Sequence, residues 1–263
     1  MDLGIAGKLA LVTAATKGLG RACAEALAAE GCRVAICART AEDVKRVARE
    51  IASVTDSEVV GFVADMSQAA DIDRLVQQVR QKLGEIDILV TNAGGPPPGT
   101  YADMTLDQYP KAFELSAMSA IRLVHAVTDA MKVKHWGRIV MITSITVKQP
   151  IDTLLLSNMA RAGLTGFMKT VATELAPYGV TVNAVLPGLH ETHRLRQVAA
   201  KKGQTEGIST DDALAAMGKT VPAGRLGQPE QLGAMVAFLA SQRAAYVTGT
   251  NVLVDGGAYK GLL

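Results

Sequence analysis

Leu9-Ala10-Leu11-Val12-Thr13-Ala14-Ala15-Thr16-Lys17-Gly18-Leu19-Gly20 is the stretch on which the fold turns. An apolar run leads through a short turn into glycines, and a helical pattern follows. Such a turn can hold a pyrophosphate, because backbone N–H groups and a helix N-terminus converge there and glycine lets the phosphates approach closely. Taken alone, the glycine pair reads better as a tight turn without a ligand. The rest of the chain decides between the two.

Further short, β-branched runs lie at 33–37, 58–63, 86–91, 138–143, 181–185 and 251–254, after the first at 9–13. Most are continuously apolar rather than alternating, the pattern of parallel strands buried on both faces. Helical segments separate them. Ala160, Gly163, Leu164, Phe167, Met168, Val171 and Leu175 form one apolar stripe, and Leu232, Met235, Val236 and Leu239 another, the latter after Pro229 at a first-turn position. Thr105 and Gln108 have capping-box spacing before a helix expected to run to about 131. Alternating strand and helix predicts an α/β fold, a doubly wound parallel sheet of Rossmann type with right-handed crossovers and helices on both faces. One domain is expected over 1–263. Ligands of such sheets bind at the C-terminal strand ends, so the stiff Gly-Gly-Pro-Pro-Pro-Gly run at 94–99 and the irregular, charged stretch at about 190–220, a candidate substrate lid, both fall at the mouth.

Composition narrows the function classes. With 49% hydrophobic residues among 263, the chain is not disordered. A net charge of only +2 and 4% aromatics argue against nucleic acid as a partner. Cys23, Cys32 and Cys37, odd in number and closely spaced, make neither a disulfide framework nor a zinc site, and no metal is expected. Neither a signal peptide nor an apolar run of about 18 residues is present, so a cytoplasmic protein with no membrane partner is expected.

More landmarks follow in order: Asn92-Ala93-Gly94 closes the fourth strand, Pro187-Gly188 the sixth, Thr192 stands four residues beyond, and Asp255-Gly256-Gly257 lies near the end. Over essentially its whole length the chain resembles the short-chain dehydrogenase/reductase family. Ala162-Gly163-Leu164-Thr165-Gly166-Phe167 and Gly224-Arg225-Leu226-Gly227-Gln228-Pro229-Glu230 are similar to its 3-oxoacyl-carrier-protein reductase branch. The resemblance implies a nicotinamide cofactor held by Thr16, Lys17, Gly18, Leu19 and Gly20, by Asn92, Ala93 and Gly94, and by Gly188 and Thr192, with Asp65 and Met66 bordering the adenine. Position 14, usually glycine in the family, holds Ala14, which the turn tolerates if its φ is negative. The second strand ends in Arg39 rather than in the carboxylate that NAD-dependent relatives use for the ribose hydroxyls. With Lys17 it offers two cations for a 2′-phosphate, so NADP(H) is expected in preference to NAD(H).

Family chemistry moves a hydride between nicotinamide and a carbonyl or alcohol carbon, helped by a serine, a tyrosine, a lysine and an asparagine. Ser144 matches the serine. Thirteen residues on, the tyrosine's place holds Ser157; four further, the lysine's holds Arg161; in the earlier helix, Ser116 stands for the asparagine. No tyrosine lies between Tyr109 and Tyr178 to take over locally. A positioned acid contributes roughly 10²–10⁴-fold in rate, and an aliphatic hydroxyl is far less acidic than a phenol. Arg161 keeps a permanent cation for the ribose but cannot shuttle a proton. Lys148, His190 and His193 are candidate substitutes, each more readily read as a solvated side chain.

The reading is therefore an NADP(H)-dependent oxidoreductase that reduces a carbonyl or 3-oxoacyl thioester with altered proton delivery. Two alternatives stand beside it: a cofactor-binding sensor or interaction protein without turnover, and a non-redox lyase or isomerase on the same scaffold. Relatives pair helices near 105–131 and 152–176, so a homo-oligomer, tetramer or dimer, is expected. His190, Glu191, His193, Arg194, Arg196, Lys201 and Lys202 crowd the lid, either drawing an anionic thioester or forming a solvated face.

Overall fold

The computed structural model describes residues 1–262. Among them, strands β1 (Leu9–Val12), β2 (Arg33–Ala38), β3 (Val59–Val63), β4 (Ile88–Thr91), β5 (Gly137–Ile142), β6 (Val180–Pro187) and β7 (Asn251–Val254) form one parallel sheet in the order β3-β2-β1-β4-β5-β6-β7. Every strand expected from the sequence is present, with ends shifted by at most two residues. The helices are α1 (Gly18–Ala29), α2 (Ala41–Thr55), α3 (Ala69–Leu83), α4 (Gln108–Phe113), α5 (Ser119–Lys134), α6 (Leu155–Leu175), α7 (His193–Glu206), α8 (Thr210–Lys219) and α9 (Pro229–Ala240).

Continuous apolar strands are explained by two cores, one on each face. Leu9, Leu11 and Leu89 point into a cluster with Ile72 and Leu75 of α3, Leu123 of α5 and Leu164 and Met168 of α6. Their neighbours Ala10, Val12, Ile88 and Val90 point the other way, toward Leu27 of α1, Val47 of α2 and Leu232 and Val236 of α9. Period-two alternation buries both sets because both faces are covered. The three cysteines are free and buried, and burial pushes the Cys32 and Cys37 thiols up to about 12, which keeps them protonated and inert.

Two regions differ from expectation. The helix expected at about 105–131 is not continuous: α4 and α5 are joined by a π turn over Glu114–Met118, which rotates Ser116 into the interior. Gln108 does reach back to the Thr105 N–H at 2.8 Å, the return half of the capping box. The stretch at 190–220 is not irregular but a helical hairpin, α7 and α8, closed on a small core of Ala199, Ala213, Leu214 and Leu226. Serine and threonine start both helices: Thr192 Oγ1 accepts from Leu195 N and Ser209 Oγ from Asp212 N. Among the described residues, no helix is long and apolar enough to cross a membrane.

The chain winds outward from β1 in one direction through β2 and β3, and from β4 in the other. The reversal opens a crevice beyond the C-terminal ends of β1 and β4. The turn after β1, the 92–99 loop after β4, the 143–148 segment after β5 and the 188–192 segment after β6 all border it.

Candidate active site

Backbone and short side chains lock the turn after β1. Thr13 Oγ1 donates to the Asn92 carbonyl at 2.7 Å and accepts from the Asn92 N–H at 2.8 Å, tying the ends of β1 and β4 together. Asn92 Nδ2 in turn holds the Ala14 carbonyl at 3.2 Å. A Cβ at Gly20 would lie 2.6 Å from both that carbonyl and Asn92 Nδ2, so only glycine fits. Gly18 has φ +57° and its open face lies under the Thr192 methyl. Ala14 overturns the expectation of a negative φ: it sits at +48°, the left-handed conformation of the glycine it replaces. The grip of Asn92 on the Ala14 carbonyl holds it there. An alanine in that region costs about 1–2 kcal/mol.

Around the end of β2, Arg39 is exposed and makes no ion pair or hydrogen bond among the described residues. Lys17 is not similarly free. Its Nζ is 3.5 Å from Asp43 in the first turn of α2, and Asp43 also binds Arg46 at 2.8 Å. Those contacts, Arg46 first, hold the Asp43 carboxyl below its ordinary range. Asp65 turns its carboxylate to Ser67 (N and Oγ at 2.9 and 2.8 Å), and the Met66 side chain is buried in the α3-side core. The Asp65 main chain is held as well, its N–H donating to Asp71 Oδ2 at 2.9 Å and its carbonyl accepting from Gln68 N at 3.0 Å.

Of the four positions of the expected tetrad, Ser116 and Arg161 line one cavity, Ser157 stands one turn before Arg161 on α6, and Ser144 follows the Thr143 carbonyl that Arg161 binds. Ser144 caps the turn that follows, its Oγ accepting from Thr146 N at 3.1 Å, which leaves the O–H free to donate. Ser157, in the first turn of α6, is 8% exposed, and its hydroxyl makes no hydrogen bond among the described residues. Ser116 Oγ is fully buried and likewise unpartnered. Arg161 lies one turn beyond Ser157 and is 9% exposed. Its Nη1 donates to the carbonyls of Ile142 at 3.0 Å and Thr143 at 2.7 Å, capping the end of β5. That corrects in part the expectation of a cation offered to the ribose: one arm of the guanidinium is spent on the sheet, while Nε and Nη2 make no bond to any described residue. Burial, reinforced by the positive charge of Arg194, lowers the Arg161 pKa to about 10, so it remains charged at neutral pH. Arg161, Asn92 and Ser116 line one small interior cavity of about 10 Å³.

The candidate substitutes scatter. His190 is buried behind the hairpin in a separate cavity of about 60 Å³ with Asp255 and Gly227, its Nδ1 3.3 Å from the Gly188 carbonyl. His193 is exposed and pairs with Gln197 Nε2 at 3.1 Å. Lys148 stands 5.4 Å over the Tyr259 ring, on the segment that leaves Ser144. Sequence reasoning missed two further residues. Thr13 fastens Asn92, as described. Arg194, treated only as one charge among several, crosses the mouth: Nη1 reaches the Gly95 carbonyl at 3.1 Å and Nη2 the Pro96 carbonyl at 3.2 Å. The proline loop is itself fastened to the approach to α6, Gly99 N donating to Thr153 O at 2.7 Å.

Comparison with known proteins agrees with this architecture. The family described as enoyl-(acyl carrier protein) reductase matches residues 13–259. The chain belongs to the short-chain dehydrogenase/reductase family. Within it, the chain stands with the 3-oxoacyl-carrier-protein reductases: it is 38% identical to the 3-oxoacyl-[acyl-carrier-protein] reductase FabG of Escherichia coli, over 96% of this chain and 98% of that one. It is 34% identical to human dehydrogenase/reductase SDR family member 4, over 96% and 88%. Among solved structures, the L-sorbose reductase of Gluconobacter frateurii, complexed with NADPH and L-sorbose, superposes with a TM-score of 0.96 at 32% identity, covering 100% of both chains. An actinorhodin polyketide ketoreductase with NADPH gives 0.90 at 34% identity, over 96% of this chain and 97% of that one. As a short-chain dehydrogenase/reductase the protein is an oxidoreductase.

Proposed function

We propose that the protein is an NADP(H)-dependent carbonyl reductase in which Ser144, Ser157 and Arg161 handle the substrate oxygen without a phenol. The observation that supports this reading is that Ser144 keeps a free O–H, Ser157 has no hydrogen-bond partner and Arg161 forms no ion pair among the described residues. The cradle fits a dinucleotide, since no Cβ can stand at Gly20 and the N–H groups of Thr16, Gly18 and Leu19 donate to no group among the described residues. Lys17 and Arg39 would take a 2′-phosphate, Asp65 and Met66 would border the adenine, Asn92, Ala93 and Gly94 the ribose side, and Gly188 and Thr192 the nicotinamide side. When bound, the reduced cofactor supplies a hydride to the carbonyl carbon.

The chain's own residues must then manage the oxygen. The free O–H of Ser144 and the unpartnered O–H of Ser157 are positioned to donate to it, and the fixed charge of Arg161 stabilises the oxyanion as it develops. Guanidinium cannot release the proton at neutral pH, so Ser157 passes one from solvent to give the alcohol. This costs rate: removing a positioned general acid accounts for roughly 10²–10⁴-fold. The reading favours activated carbonyls, whose alkoxides need less help. The test is NADPH consumption with a panel of diketones, quinones and oxoacyl thioesters, beside a binding titration. Reduction of activated carbonyls with poor turnover of simple ketones supports the proposal; tight NADPH binding with no oxidation by any carbonyl contradicts it.

A further inference from the structure

Arg161 and Arg194, at the inner end and the mouth of this crevice, form no ion pair among the described residues. Arg196, two residues from Arg194, shows the contrast: it is clamped between Glu191 at 2.7 Å and Asp211 at 2.8 Å. Arg194 points the other way and spends both Nη atoms on two backbone carbonyls across the mouth. Two oxygens held side by side by one guanidinium reproduce the way a carboxylate is bound, with weaker acceptors in its place. The setting is also wrong for a cation that serves only the fold. Arg194 occupies the first turn of α7, which contains no acid, where the helix dipole already presents positive charge. An anion would satisfy both.

The spacing limits which anion. The 92–96 segment lines the Arg161 cavity with Asn92 and Ala93 and binds Arg194 through the Gly95 and Pro96 carbonyls. Only a few residues of loop thus separate the two guanidinium groups, and the charge of Arg194 is felt at Arg161. An anion on Arg194 would therefore lie within a small molecule's length of a carbonyl held beside Arg161. The phosphate of a coenzyme A or carrier-protein thioester lies a whole pantetheine arm away from its carbonyl.

We propose that the substrate is a small oxo acid whose own carboxylate is taken by the two Nη atoms of Arg194, with its carbonyl presented to Ser144 and Ser157. The proposal rests on the carbonyl-reductase reading and makes Arg194 a specificity-determining residue for it. It replaces the thioester phosphate as the ligand of the lid's positive charge.

The test compares 2-oxo and 3-oxo acids with their methyl esters, in kcat/KM with NADPH and in equilibrium binding to protein loaded with NADP⁺. The acid is expected to exceed its ester by about tenfold or more in both measurements, the gain of a charge-assisted fork. Arg194→Gln should compress that ratio to within about twofold, and Arg194→Lys should keep part of it, because ammonium retains the charge without the fork. Equal acid and ester values in the unaltered protein overturn the proposal. So does an Arg194→Gln variant that loses NADPH affinity by the same factor, which would make Arg194 a cofactor contact. Preference for a coenzyme A thioester over both, abolished by the same substitution, overturns it as well. If no carbonyl is reduced at all, the reductase reading fails, while the binding arm still decides whether Arg194 selects carboxylates.

Discussion

Ala14→Gly should make the protein more stable, against the usual sign for introducing glycine. Alanine at φ +48° carries about 1–2 kcal/mol of steric cost that glycine does not. Against this stand roughly 0.5–1 kcal/mol of extra backbone entropy in the unfolded chain and a fraction of the ~0.8 kcal/mol for one buried methyl, since Ala14 is half-buried. The bonds that hold the turn survive, because Asn92 Nδ2 grips a carbonyl and not a side chain. The net is a gain of about 0.5 kcal/mol, or roughly 1–2 °C in Tm for a chain of this size. Ala14→Val runs the other way, because a β-branched residue is worse than alanine at positive φ; it should lose about 1 kcal/mol or more. Urea unfolding followed by two spectroscopic probes would read both differences. A less stable Ala14→Gly together with a tolerated Ala14→Val would refute the strain argument and the conformation on which it rests.

The ion pair between Lys17 and Asp43 lowers the positive field near Arg39, so Asp43→Asn should tighten NADPH binding, while Arg39→Asp should shift the NADPH-over-NADH preference toward NADH by at least about tenfold, or 1.4 kcal/mol; titration with each cofactor checks both. Gly20→Ala should abolish tight NADPH binding, since its Cβ would displace the Ala14 carbonyl and Asn92; unchanged affinity by titration would contradict the cradle. His190 is held below its ordinary value of 6.5 mainly by burial, opposed by the Gly188 carbonyl and Asp255. The unfolded chain therefore binds the proton more readily, and stability should fall as pH drops below about 6.5 and level off once the folded form also protonates. His190→Gln should flatten that limb in unfolding measurements across pH.

What could be read from the sequence follows from which interactions are local. The strands were legible because each is apolar on both faces, and the first turn because Gly18 and Gly20 sit directly between strand and helix. Helices α7 and α8 were not, because four buried side chains from separate stretches, Ala199, Ala213, Leu214 and Leu226, close them instead of a broad apolar stripe. The φ of Ala14 depends on Asn92, seventy-eight positions away, and the reach of Arg194 on a loop about a hundred residues earlier. Arg161 shows a subtler limit. Its place four residues after Ser157 was plain, but the longer fork lets one arm find the Ile142 and Thr143 carbonyls, and residue type alone does not set that direction. The π turn that buries Ser116 left no mark in a stretch that otherwise reads as continuous helix.

Restoring the phenol and the ammonium tests the central claim most directly. The measurement is NADPH oxidation with a simple ketone by the unaltered protein, by Ser157→Tyr, by Arg161→Lys and by the double variant. The account predicts slow turnover for the first three and a rise of roughly tenfold or more for the double variant alone, because the pair acts as a unit and its effects are non-additive. Turnover of simple ketones by the unaltered protein as fast as by the double variant would show that positions 157 and 161 do not govern proton delivery, and would contradict the account.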